Sequence, residues 1–275
     1  MAGLSFKLEG ISPYRLIDII QQPFFIVTLF FFLIPYNIIL YGVNDVFDYE
    51  TDLKNARKLE TNLEGKVLAP QYHDFILWTS GMLAVIFGII YTFYLDFNLI
   101  VYIAMLMVAL AYSVKPIQLK GRPFLDFISS SFHYTITAFF ALYYFYDAFK
   151  FHNSQGIEVE YVSLWKLLPL FIWGFGSHLL GAIPDIEADK EAGLRTTAVV
   201  IGKRLSLLLV FIFYAVAAGL FLYYFGFWAL GVLLYPILVF VKQDTQRNRY
   251  QIYLNYLNGA VVTIALFVKA ILPYL

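Results

Sequence analysis

The chain has 275 residues, of which 61% are hydrophobic, 20% aromatic and only 14% charged, with a mean hydropathy of +0.71. A soluble domain carries about 25% charged residues, so this composition reads as a polytopic membrane protein. Nineteen basic residues balance nineteen acidic ones, which argues against nucleic-acid binding, and the absence of cysteine excludes disulfides and thiolate metal sites.

Crossing a bilayer core of about 30 Å takes roughly 17–25 helical residues. Eight stretches qualify, near 23–43, 74–95, 97–114, 124–148, 162–183, 204–224, 226–241 and 252–273. The seventh is the weakest, because Trp228 to Val241 is short and contains Pro236. The runs are continuously apolar and do not alternate, so the predicted fold is all-α, a transmembrane helical bundle and not a barrel. No stretch separates domains, and residues 1–275 are read as one. No secretory signal pattern is read at the start.

The first span runs into Asn44-Asp45-Val46-Phe47-Asp48-Tyr49-Glu50-Thr51-Asp52. Asn44, Asp48 and Asp52 are spaced i, i+4, i+8, and each helical step of four turns about 400°, so their oxygens form one ridge roughly 6 Å apart. The plain alternative is a solvated helix end offset by Lys54, Arg57 and Lys58. After the third span comes a basic connector, Tyr112-Ser113 to Pro123, in which Lys115, Lys120 and Arg122 suit an anionic group; its plain alternative is anchoring at the membrane edge. The fifth span ends at Pro184, and Asp185 and Asp189 repeat the i, i+4 spacing. Pro184 disfavours α geometry at Ile183 and makes Asp185 the start of a new helical turn.

Carboxylates are costly beside hydrocarbon, so a membrane chain that gathers them there is read as binding cations. Two facing ridges would offer hard oxygen ligands for an ion such as Mg²⁺. The four connections 44–73, 113–124, 184–204 and 242–251 hold fourteen of the nineteen basic residues, and both acidic motifs lie in them. The positive-inside rule assigns this face to the cytoplasm. Acids, divalent metal and basic groups on one face suit a diphosphate, whose growing charge as a leaving group they offset.

These motifs resemble those of the UbiA superfamily of intramembrane prenyltransferases: N-x-x-x-D-x-x-x-D at Asn44, Asp48 and Asp52, D-x-x-x-D at Asp185 and Asp189, the Tyr112-Ser113 to Pro123 connector, and Ala192-Gly193 to Arg195-Thr196-Thr197. The resemblance implies a helical bundle around a central cavity, a Mg²⁺-bound prenyl diphosphate, and prenyl transfer to a lipophilic acceptor in the membrane. Gly176-Ser177-His178 through Asp189, and Asn62-Leu63-Glu64-Gly65, look most like the lycopene elongase branch, so a carotenoid is the first acceptor expected and a quinone precursor or other lipid the second. Two positions differ from the wider pattern. Ala182 stands where many members carry a further Asp. About twenty residues, including Lys7, Glu9, Arg15 and Asp18, precede the first span where the family usually has another helix, so a missing or shortened first helix, or a late start, is expected.

The site expected is therefore Asn44, Asp48, Asp52, Asp185 and Asp189 for metal, with Asp48 and Asp185 essential to turnover, and Lys115, Lys120 and Arg122 for diphosphate. His178, seven residues before Asp185, is a candidate for the substrate cavity, although a satisfied core histidine is the commoner outcome; His133 is a weaker one. The non-enzyme alternative is a cation-coupled transporter, but such sites usually lie near the midplane on broken helices. A soluble prenyl synthase is set aside by the spans and by the lack of DDxxD.

Overall fold

The computed structural model describes residues 21, 23–54, 67–95, 99–152, 164–240 and scattered positions from 253 to 268. Among them the regular structure is entirely helical. The main helices are α1 (Pro23–Asp52), α2 (Pro70–Tyr94), α3 (Leu99–Ser113), α4 (Leu125–His152), α5 (Trp165–Glu191) and α6 (Thr197–Phe225). Four described helical runs are long and apolar enough to cross a membrane: α1, α2, α5 and Thr197–Ile237. Helix α3 is apolar but shorter. The eight expected spans are thus not all recovered. Half of 252–273, and the whole Asn62-Leu63-Glu64-Gly65 run, lie outside the described residues.

Two expected spans merge into one helical run. Their boundaries survive as breaks: Gly202 has φ 75°, ψ 166° just before the expected start at 204, and Gly226 has φ 63° at the start of the seventh. That seventh stretch is a tight 3₁₀ run, Gly226–Leu233, followed by α geometry over Leu234–Leu238.

Helix α1 is irregular where it approaches the acidic motif. Pro35 brings no N–H and its ring crowds the preceding turn, and Ile34 departs from helical values (φ −124°, ψ −68°). Asn37 repairs the break by donating its amide to the carbonyls of Phe32 (2.8 Å) and Leu33 (3.0 Å). A π-helical turn follows over Ile38–Gly42, with Ser80 Oγ of α2 donating to the Ile38 carbonyl at 3.3 Å. Regular α geometry then carries Val43–Asp52. A π turn changes which face the next residues present, and such turns are frequent at functional sites.

The described residues fall into two compact units, one from Ile19–Ser130 and Asp185–Lys203, the other from Ser131–Pro184 and Arg204–Leu275. In the first, an aromatic cluster joins α1, α2 and α3. The fully buried Phe31 ring lies 4.8 Å from Phe87, 5.4 Å from Tyr91 and 6.0 Å from Tyr102. The two tyrosines satisfy their hydroxyls on Thr28 Oγ1 (3.1 Å) and the Ala84 carbonyl (2.8 Å), as buried phenols require. In the second unit, small residues allow close approach. A Cβ on Gly174 would lie 3.1 Å from the backbone Cα of Ser131, and one on Gly176 2.7 Å from the Tyr214 ring. This is the small-residue packing that membrane helices use in place of a hydrophobic drive.

Candidate active site

Both acidic motifs and the basic connector belong to the same compact unit. The first motif lies on the regular helical segment Val43–Asp52, so the i, i+4, i+8 ridge exists as expected. It turns inward. Asp52 is only 6% exposed, Asn44 and Asp48 are half-buried, and Glu50 on another face is exposed. A solvated helix end would not bury its carboxylates in this way.

The connector meets this ridge through one residue. Lys120, in the short 3₁₀ turn Leu119–Gly121, is 8% exposed. Its ammonium donates to Asn44 Oδ1 at 2.8 Å and forms an ion pair with Asp48 Oδ1. The Tyr112 ring centroid lies 5.9 Å from the same nitrogen, and Ser113 Oγ donates to Asn44 Oδ1 at 2.6 Å. The backbone aims Lys120 by adopting left-handed values at Gln118 (φ 38°, ψ 63°). Lys115 and Arg122 are placed differently. Both are exposed, and Arg122 donates to the Pro116 carbonyl at 3.1 Å.

The second motif begins where the sequence suggests, for a related reason. Asp185 closes a 3₁₀ turn, Ile183–Asp185, and stands at the N-terminal boundary of the helical turn Ile186–Glu191. Ile183 itself keeps right-handed values (φ −60°, ψ −44°), so Pro184 tightens the helix to 3₁₀ without expelling the residue before it. Asp185 and Asp189 are half-buried, while Glu187 is exposed and pairs with Lys190 at 3.3 Å. Gly193, at φ 74°, ends the helix in the left-handed region that glycine enters at no steric cost. Leu194 N–H can then reach the Asp189 carbonyl at 2.9 Å, and the chain returns so that Thr196 Oγ1 donates to Asp189 Oδ2 at 3.2 Å. The ends of the two motifs also meet, Lys54 Nζ donating to the Glu191 carbonyl at 3.4 Å.

Several residues that matter here carried no signal of their own in the sequence. Asp126, in the first turn of α4, is completely buried. Its carboxylate accepts the N–H of Thr197 at 2.6 Å, the Thr197 hydroxyl at 2.5 Å and the N–H of Phe127 at 2.9 Å. Phe124 N–H donates back to Thr197 Oγ1 at 2.6 Å. The end of the connector is thereby clamped to the start of α6, one residue beyond the threonine that holds Asp189.

His178 lies half-buried on the α-helical segment Leu168–Ala182 and belongs to the other compact unit.

Among the described residues no three Asp, Glu, His or Cys side chains form a metal cage. Mg²⁺ does not need one. It keeps several waters and binds through one or two carboxylates together with substrate phosphates. The chemistry of the donors fits: they are hard oxygens, and Asn44 Oδ1 and Asp48 Oδ1 already converge on a single cationic group, the Lys120 ammonium.

Comparisons with known proteins identify the family. The chain is 34% identical over 253 residues to a lycopene elongase/hydratase of Corynebacterium glutamicum, covering 86% of this chain and 83% of that protein. It is 31% identical over 242 residues to the lycopene elongase/hydratase of Haloarcula japonica, covering 87% and 74% respectively. Its fold matches a UbiA homologue from Archaeoglobus fulgidus solved with DMAPP and Mg²⁺, with a TM-score of 0.66 at 16% identity over 98% of this chain and 93% of that one. A sequence profile of the UbiA prenyltransferase family matches residues 14–256. An integral membrane protein of helices, with paired acid motifs on one compact unit, this chain belongs to the UbiA prenyltransferase family.

Proposed function

We propose that the protein transfers an isoprenyl group from a prenyl diphosphate to a carotenoid end group, in the manner of a lycopene elongase. The observation that carries this reading is the buried oxygen ridge of Asn44, Asp48 and Asp52 with Lys120 set against it. Curated relatives named for lycopene elongation, similar along most of the chain, support the acceptor.

In this reading Asn44, Asp48 and Asp52 hold one Mg²⁺, and Asp185 and Asp189 hold another. When bound, Mg²⁺ neutralises the diphosphate oxygens and so lowers the barrier to C–O ionisation. Asp48 presents its carboxylate from the helical segment Val43–Asp52, and Thr196 orients Asp189 through its hydroxyl. Lys120 binds the diphosphate from within the site, while Lys115 and Arg122, exposed on the same connector, attract it from outside. The apolar helices keep water from the allylic cation until an acceptor double bond attacks it, and the cation so formed on the acceptor is discharged by loss of a proton or addition of water. His178 is assigned to the cavity wall that receives the acceptor. The acidic face is assigned to the cytoplasm by the basic residues that surround it.

A hydrocarbon acceptor also fits the shortage of charge. An aromatic acid such as 4-hydroxybenzoate would need a partner for its carboxylate in a dry cavity, and the expanded acid set is shortened by Ala182. The test is a competition assay that offers lycopene and 4-hydroxybenzoate together with a prenyl diphosphate. Elongated carotenoid is the expected product; prenylated benzoate without any elongated carotenoid overturns the choice of acceptor.

A further inference from the structure

Lys120 contributes more to the oxygen ridge than one donor among several. Asn44 Oδ1 has two lone pairs, and both are taken, one by Ser113 Oγ at 2.6 Å and one by Lys120 Nζ at 2.8 Å. Asp48 Oδ1 is buried and is paired with the same ammonium. A divalent ion ligated by these two oxygens would lie within a few ångströms of a positive charge that is itself shielded from water. Like charges at that distance repel strongly when solvent is excluded. Metal and ammonium therefore cannot share the ridge; one must leave.

We infer that Lys120 is the resident counter-cation of the Asn44–Asp48 ridge and makes divalent-metal loading conditional on arrival of the diphosphate. The inference rests on the reading above that this ridge is a metal site. Lysine suits such a role, being a compact charge on a flexible four-carbon stem. A diphosphate brings the negative charge that draws the ammonium off Asp48, and it supplies further oxygens to complete the metal's shell. Free metal offers neither, so it must displace Lys120 without compensation. Order follows from this: donor and metal enter together, and the ridge resists metal alone.

The test is Mn²⁺ binding to the purified full-length protein, read by the electron paramagnetic resonance signal of free Mn²⁺, with and without geranyl S-thiolodiphosphate. The parent is expected to bind Mn²⁺ weakly alone and tightly with the analogue. Lys120→Met should bind Mn²⁺ alone about tenfold more tightly than the parent. Lys120→Gln, which keeps a polar tip but loses the charge, should do the same and stands in if the Met variant does not fold. Lys120→Arg retains the charge and should behave as the parent. Equal or weaker Mn²⁺ binding in both neutral variants, with Asp48→Asn still abolishing it, overturns the inference and leaves the metal ridge standing. Mn²⁺ binding that Asp48→Asn leaves unchanged in every background removes the ridge itself, and the inference with it.

Discussion

Thr197 donates both its backbone N–H, at 2.6 Å, and its hydroxyl, at 2.5 Å, to the two carboxylate oxygens of Asp126. The two residues are 71 positions apart, and neither has any exposed surface. Their pairing ties the connector that carries Lys120 to the segment whose Thr196 holds Asp189. One clamp thus steadies the basic and acidic parts of the site together.

Removing the clamp should therefore cost stability. Hydrogen bonds to a charged group contribute about 1.5–3 kcal/mol each, and buried donors left without an acceptor cost about 1–3 kcal/mol more. Asp126→Asn, which turns one oxygen into a donor facing donors, is expected to lower the thermal midpoint in detergent, as is Thr197→Val. The double variant should be less destabilised than the sum of the two, with a coupling of about 1–3 kcal/mol. Additive losses would show that the two side chains act separately.

The acid ridges make a sharper claim about turnover. Asp48→Ala and Asp185→Ala are each expected to abolish diphosphate release while the protein still inserts in membranes and extracts as a folded species. Losing one ligand from a buried cation site costs far more than the roughly 0.5 kcal/mol of an ordinary surface change. The check is a diphosphate-release assay on each variant, and retained turnover in both would exclude the two ridges as the metal site.

The three basic residues should separate in their effects. Lys120→Ala is expected to raise the KM for prenyl diphosphate roughly ten- to a hundredfold, the equivalent of one charge-assisted hydrogen bond. Lys115→Ala and Arg122→Ala should each raise it less than about fivefold, because exposed charges contribute about 1 kcal/mol or less. Steady-state kinetics on the three variants decide the order; equal effects would mean that the exposed pair folds into the site when substrate arrives.

Orientation can be read chemically, because the chain has no cysteine of its own. Glu187 is exposed on the acidic face. Glu187→Cys should react with a membrane-impermeant maleimide in inside-out vesicles and not in right-side-out ones. The opposite pattern would place the acid motifs on the other side of the membrane.

How much of this can be read from the sequence depends on the range of the interaction. The ridge of Asn44, Asp48 and Asp52 is legible because helical spacing alone puts its members on one face, and the break at Pro184 is legible because proline acts on its neighbours. Asp126 is not: an acid in the first turn of a helix looks like an ordinary partner for the helix dipole, and its true partner is remote in the chain. Nor can Lys120 be told from Lys115 and Arg122 by composition. What separates them is the turn through Gln118, which folds one side chain inward and leaves the other two exposed. Nor does hydropathy separate the expected spans 204–224 and 226–241, whose residues are uniformly apolar and which share the single described run Thr197–Ile237, divided only by the backbone turn at Gly226. The transporter alternative falls to the family assignment.

The most direct measurement of the central claim uses membranes containing the full chain, incubated with lycopene and prenyl diphosphates of several lengths, with Mg²⁺ or with a chelator. Products are identified by mass. The account predicts lycopene enlarged by one or two prenyl units, formed with Mg²⁺ and lost with the chelator and in Asp48→Ala. Elongated carotenoid that persists under both of those conditions, or no lycopene-derived product from an otherwise folded protein, would contradict it.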